Sequence, residues 1–270
     1  MTRALLNTIP TWLLAVAMVG GTAGVAVLGQ TLVRRRLPEL EKHAINDVAG
    51  VVIGVLAAVF GIILGFVTVS LYETFTDAQA TVEREATELI QLLEDTRSFP
   101  PRTAAAIEGE IRSYIAAVRF SEWERMRDGE ADANVGNEHV SDLYRKLAAY
   151  EPDTAARTAF YADAVARLND VVDARRARLS YAAEELPGAF WLMLVVGTVL
   201  LISSLYLLGA ANRRLHTIMV VAVAVLTSFN LLIVVALDHP FSGDITVSNA
   251  PFAQEQLRSL HVTRADLADR

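Results

Sequence analysis

An all-α membrane protein is the fold class this sequence predicts. Four transmembrane helices in two pairs flank a helical-bundle domain, and the second membrane helix continues into that domain. Three observations carry the prediction. Four apolar runs at 12–33, 48–72, 190–208 and 215–237 contain no Lys, Arg, Asp or Glu, and each is near or above the ~20 residues a spanning helix needs. Between the pairs, apolar residues recur at helical spacing. No stretch there alternates as a strand would.

The chain thus divides into a first membrane pair (1–72), an acidic helical domain (73–189), a second membrane pair (190–237) and an interfacial segment with a tail (238–270). A hydrophobic content of 53% in 270 residues suits a membrane bundle with one polar lobe better than two globular domains. The chain has no cysteine, which excludes disulfides and thiolate metal sites.

The first run begins after a single charge, Arg3, and Thr22, Ala23 and Gly24 resemble a cleavage region. Its length and the Arg34-Arg35-Arg36 triplet that follows predict a retained helix instead. Basic residues in short loops mark the cytoplasmic side. The first link holds Arg34, Arg35, Arg36 and Lys42, and the second holds Arg213 and Arg214. These charges predict the helical domain and both termini outside the cytoplasm, with Arg175, Arg176 and Arg178 as the opposing signal.

The central domain carries 23 acidic against 14 basic residues, net −9, more negative than the −7 of the whole chain. A vestibule under such a lobe would draw cations. Phe75, Ala78, Val82, Ala86, Leu89 and Leu93 form one apolar stripe, and no Gly or Pro separates it from the second membrane run. The spacing predicts a single rod from Val48 to about Thr96, ended by Pro100 and Pro101. A second helix from about Arg102 presents Ile107, Ile111, Tyr114 and Val118 before Trp123 and Met126. Residues 127–136 read as a loop and a short helix follows over 138–150. Asp153 or Thr154 caps a last helix that ends near Leu186, with Tyr161, Ala164, Leu168, Val171 or Val172 and Leu179 on its stripe.

Enzyme chemistry finds no pattern to rest on. His43, His139, His216, His239 and His261 form no pair at helical spacing, and no Gly-rich phosphate loop or nucleophile elbow occurs. No catalytic residue, metal ligand or cofactor is expected, and the many carboxylates read as a solvated face. No Lys, Arg, Asp or Glu of the type that proton-coupled transporters and voltage sensors use lies in the membrane runs.

The second membrane run differs from a plain anchor. Gly54, Ala58, Gly61, Gly65, Thr68 and Tyr72 follow at four, three, four, three and four residues, so one face is small and weakly polar. Such a face suits close helix packing, with Gly61-xxx-Gly65 at the familiar spacing. It also suits a pore wall whose constriction needs no charge. After the fourth run, Asp238-His239-Pro240-Phe241-Ser242-Gly243-Asp244 forms a turn-rich segment that continues to Pro251-Phe252. It reads either as an interfacial cap or as a functional element.

Two sets of residues carry a family resemblance. Tyr114-xxx-Val118, Glu122-Trp123 and Met126-Arg127-Asp128-Gly129 lie in the lobe, and Asp238-x-Pro240-Phe241-Ser242-Gly243 with Pro251-Phe252 follows the fourth run. Together, over about residues 48–260, they resemble the DUF4239 family of bacterial membrane proteins, which is described as bestrophin-like. Bestrophins are pentameric anion channels with a cytosolic helical domain and a pore lined by the second membrane helix. The resemblance therefore implies a homo-oligomeric ion channel of the bacterial cytoplasmic membrane, anion-conducting, with Gly54 to Tyr72 along the pore. The expected partners are the lipid bilayer, further copies of the chain and small inorganic ions, not nucleic acid. The competing class is a membrane sensor or scaffold whose helical lobe binds a ligand or partner protein, since long helices continuous with membrane spans can transmit small shifts. Oligomeric state separates the two: a channel predicts a closed ring, a sensor a dimer or a monomer with a partner.

Overall fold

The computed structural model describes residues 2–36, 46–130, 134–208 and 212–267, and no described residue lies in a strand. The helices are α1 (Thr2–Thr8), α2 (Thr11–Arg36), α3 (Asn46–Thr96), α4 (Pro101–Ala117), α5 (Trp123–Asp128), α6 (Asn134–Ala148), α7 (Ala155–Ala183), α8 (Gly188–Leu205), α9 (Arg213–Leu237) and α10 (Glu255–Arg258). A π-helical turn, Val118–Glu122, joins α4 to α5. Four of these helices, α2, α3, α8 and α9, are long and apolar enough to cross a membrane. Residues 37–45, with Lys42 and His43 of the expected first link, and residues 131–133 of the expected 127–136 loop lie outside the described residues.

The chain forms two compact units, one of Met1–Glu73 with Glu185–Asp238, the other of Thr74–Glu184 with His239–Arg270. The single rod expected from the sequence is present as α3, 51 residues without a break. It stops where Pro100 and Pro101 deny the ladder its amides, and Phe99 N turns back to Thr96 O at 3.0 Å.

In the apolar unit, α2, α3, α8 and α9 contribute Ala26, Ile53, Ile202, Leu205, Val220 and Ala224 to one core. Small residues set how closely these helices approach, because lipid offers no hydrophobic drive and packing must supply the attraction. An added Cβ at Gly197 would overlap the Phe60 ring, and one at Gly29 would lie 2.8 Å from the Tyr206 hydroxyl oxygen. Thr22 Oγ1 and Ser228 Oγ share a hydrogen bond of 3.2 Å between α2 and α9. Asn212 caps α9 by accepting from Arg214 N at 3.0 Å and Leu215 N at 3.2 Å.

In the polar unit, the predicted stripes meet. Ala78, Val82, Ala86 and Leu89 of α3, Ile107, Ile111 and Tyr114 of α4, and Ala164, Leu168 and Val171 of α7 are all fully buried in a common core. Thr154, not Asp153, caps α7, its side chain accepting from Arg157 N at 3.2 Å. Asp153 instead pairs with the Arg157 guanidinium at 2.7 Å. The segment after α9 joins this core through Phe241, Val247, Phe252, Leu257 and Leu260.

Candidate functional site

The small face of α3 is built by spacing alone. At 100° per residue, Gly54, Ala58, Gly61, Gly65, Thr68 and Tyr72 fall within a narrow arc. About a third of a turn away, Ile53, Phe60, Leu64, Val67 and Leu71 are buried in the protomer. The small arc itself is exposed from Gly54 to Gly65 and at Tyr72, with Thr68 half-buried. A Cβ added at Gly54, Gly61 or Gly65 would meet nothing within 4 Å. Packing inside one protomer therefore does not explain these glycines. Thr68 Oγ1 donates to Leu64 O at 2.8 Å, so the face offers little unsatisfied polarity.

The second cluster lies in the polar unit, where the sequence predicts a solvated face for its acids. Glu85, Glu110 and Glu122 are instead buried. Arg178 of α7 donates to Glu85 of α3 through Nε at 2.6 Å and Nη2 at 3.1 Å, and to Glu122 through Nη2 at 2.8 Å. Arg175, one turn earlier, donates to Glu122 Oε1 through Nη2 at 2.5 Å and Nε at 3.2 Å, and to Asn137 Oδ1 at 2.7 Å. Tyr114 OH donates to Glu85 Oε1 at 2.6 Å, and Gly136 N to Glu122 Oε1 at 3.0 Å. Two guanidiniums thus balance two carboxylates, and each of the four carboxylate oxygens has a donor, as burial of ions demands. The π turn assists: its wider winding keeps Tyr114, Val118, Glu122 and Met126 on the core side, where a regular helix would rotate that row outward.

Electrostatics fix the protonation of Glu122, Tyr114 and Arg178. Burial works to raise the Glu122 carboxyl, but the charges and hydrogen bonds of Arg178 and Arg175 outweigh it and keep it below the usual carboxylate range. Burial, reinforced by the Glu85 charge, pushes the Tyr114 phenol well above its ordinary value. Burial also acts against the Arg178 charge, yet Glu85 and Glu122 more than compensate and raise it. At neutral pH Glu122 stays ionised and Tyr114 stays protonated. The arrangement is a fixed clasp of α3, α4 and α7, not acid–base machinery.

Residues from both sets that carry the resemblance meet beside this cluster. Trp123 meets Phe241 edge-on at 5.5 Å and Phe252 at 6.4 Å, and the Arg178 guanidinium lies 5.9 Å from its ring. Ser242 Oγ donates to Arg127 O at 2.7 Å. Pro240 O accepts from Val247 N at 2.8 Å, and Gly243 takes φ 81°, a left-handed turn that favours glycine. Asp238 acts elsewhere, in the apolar unit, accepting from Leu186 N at 2.6 Å and Trp191 Nε1 at 3.2 Å.

Two further polar features were missed in the sequence. His216, buried at the start of α9, accepts at Nδ1 from Gln30 Nε2 at 2.8 Å and Arg34 Nη2 at 2.5 Å, while its Nε2 donates to Leu205 O at 3.0 Å. In the polar unit, Glu110 accepts from Lys146 Nζ at 2.5 Å and contacts His139 Nδ1 at 2.8 Å. These three residues line a cleft of about 920 Å³, with Arg112, Arg125 and Asp266.

A multi-pass, all-α membrane protein whose second span continues into a helical bundle is the class that this fold and site define. A family model described as a Bestrophin-like domain matches residues 20–252, and the chain belongs to that family. Among solved structures, a variant of a bacterial bestrophin homologue from Klebsiella pneumoniae is similar with a TM-score of 0.69 at 13% identity, over 95% of this chain and 99% of that one. Another structure of a homologue from that organism has a TM-score of 0.66 at 14% identity, over 93% and 96%. A structure described as a membrane protein variant has a TM-score of 0.69 at 13% identity, over 95% and 99%. Identities this low speak to the fold alone. No curated protein matches.

Proposed function

We propose that the protein is a homo-oligomeric ion channel in which the small face of α3 lines the permeation path and small anions are the permeant class. The observation that carries this reading is the open space beside Gly54, Gly61 and Gly65 on a helix whose neighbouring stripe is already buried. A ring of copies around an axis would turn such faces towards one another. A wall of glycine, alanine and threonine can conduct or close by dewetting without fixed charge. Membership of the Bestrophin-like family supports a channel, and the resemblance to bestrophins supports anions.

Liposomes carrying the purified oligomer under chloride, potassium and sodium gradients test the reading. Chloride flux lost in Gly61→Leu is the expected result. A Cβ added at Gly61 meets nothing within the protomer, and an unchanged unfolding midpoint in Gly61→Leu would place that loss at the path or the ring and not in misfolding. On loop charge, the helical domain and both termini lie outside the cytoplasm. A cysteine at exposed Glu151, reached in whole cells by a membrane-impermeant reagent, checks that side.

The cleft beside Glu110, His139 and Lys146 favours a second reading, a sensor whose lobe binds a small polar ligand. A dimer without flux, stabilised thermally by such a ligand, would select it.

A further inference from the structure

We infer that Glu83 is the selectivity-setting charge of the permeation path: it lies on the same arc of α3 as the small face, and its carboxylate holds back anions and favours cations. The inference rests on the reading of that face as the pore wall.

The arc outlasts the membrane run. Thr76, Gln79 and Glu83 follow Tyr72 at four, three and four residues along the unbroken helix. Glu83 thus returns to the bearing of Gly65 about five turns and ~27 Å further on. The buried side shows that α3 keeps this bearing, because Ile53, Phe60, Leu64, Val67 and Leu71, then Ala78, Val82 and Leu89, stay on one flank. Thr76, Gln79 and Glu83 are exposed, as Gly54 to Gly65 are along the same arc. From Gly54 onwards, Glu83 is the first charged residue on it. Glu73, Asp77 and Arg84 lie roughly a quarter to a third of a turn away.

Glu83 acts through its field. Gln79 Nε2 donates to its Oε1 at 3.3 Å, a neutral amide that orients the carboxylate and leaves its charge in place. Gln79, Glu83 and Thr87 border a recess of about 440 Å³ with Ser248, Pro251 and Gln254. At ~30 Å³ per molecule that is room for roughly fifteen waters. An ion there keeps its hydration and feels the charge through water. Such a carboxylate, repeated around an axis, enriches cations and depletes anions.

Reversal potentials in planar bilayers under a potassium chloride gradient test the inference. Glu83→Gln should raise the chloride-to-potassium permeability ratio about threefold or more at about 0.01 M salt, and Glu83→Lys should raise it further. At about 1 M salt, where charges are screened within ~3 Å, both shifts should collapse, which a merely structural effect would not do. In Glu83→Cys, the sole thiol of a chain without cysteine, a cationic thiol reagent should raise the ratio and an anionic one should restore the wild-type value, with the charge changed after folding. An unchanged ratio in Glu83→Gln and Glu83→Lys overturns the inference. So does an equal shift in Asp77→Asn, exposed on the other arc. If Gly61→Cys is still blocked by a thiol reagent in either case, the pore reading survives and only the role of Glu83 falls. No current from wild type overturns both.

Discussion

Arg178 grips Glu85 through two hydrogen bonds, Nε to Oε2 at 2.6 Å and Nη2 to Oε1 at 3.1 Å, with both side chains fully out of solvent. Removing one partner of such a pair strands the other, and the cost is set by the stranded charge. Arg178→Met should therefore destabilise the protein by about 3–5 kcal/mol, read as a lowered midpoint in thermal unfolding of the purified protein. Adding Glu85→Gln to that variant should recover part of the loss.

The same cluster predicts a pH window. Glu122 has its pKa lowered by folding, so its contribution is present above the ordinary carboxylate value of about 4.3 and fades as pH falls through the lower folded value. Tyr114 has its pKa raised, so its contribution is complete below about 10 and is lost as pH rises beyond that. Unfolding midpoints followed from pH 3 to 11 should show a plateau between these limits. Glu122→Gln should flatten the acid limb.

Phe241 anchors the segment after α9 by its edge-on contact with Trp123 at 5.5 Å. Phe241→Ala should cost about 3–5 kcal/mol and release the segment that follows. Limited trypsinolysis at exposed Arg258 should then run much faster than in wild type, while Ser242→Ala, which removes one hydrogen bond to Arg127 O, should give a smaller increase.

The glycines divide into two classes that mutation should separate. Gly197→Ala drives a methyl into the Phe60 ring, and Gly136→Ala places one 2.5 Å from Glu122 Oε1, so both should lower the unfolding midpoint through overpacking of about 1–3 kcal/mol. Gly54→Ala meets nothing and should leave the midpoint of the detergent-solubilised protomer unchanged.

What could be read from the sequence followed from periodicity. Ala78, Val82, Ala86 and Leu89 announced the buried side of α3, and unbroken apolar spacing announced a rod from Val48 to about Thr96, which α3 realises over 51 residues. The clasp escaped because its charges were assigned to the surface. Its signal was nonetheless present: Glu85 falls at a core position between Val82 and Leu89, and Arg175 and Arg178 fall at core positions of α7 between Val171 and Ala182. A charge on an apolar stripe of each of two helices is a candidate buried pair. The π turn and the docking of Phe241 and Phe252 on Trp123 depend on distant packing that no local spacing encodes. His216 was passed over because its partners, Gln30 and Arg34, lie more than 180 residues away.

Because the chain has no cysteine, Gly61→Cys would carry a single reactive thiol on the small face of α3. Current through bilayers holding this variant, before and after a charged aqueous thiol reagent, tests the pore assignment most directly. Rapid block in Gly61→Cys, with Val55→Cys on the neighbouring arc unaffected, is the predicted result. Full labelling of Gly61→Cys with unaltered current, or a thiol reached only by lipid-soluble reagents, would contradict a permeation path along this face.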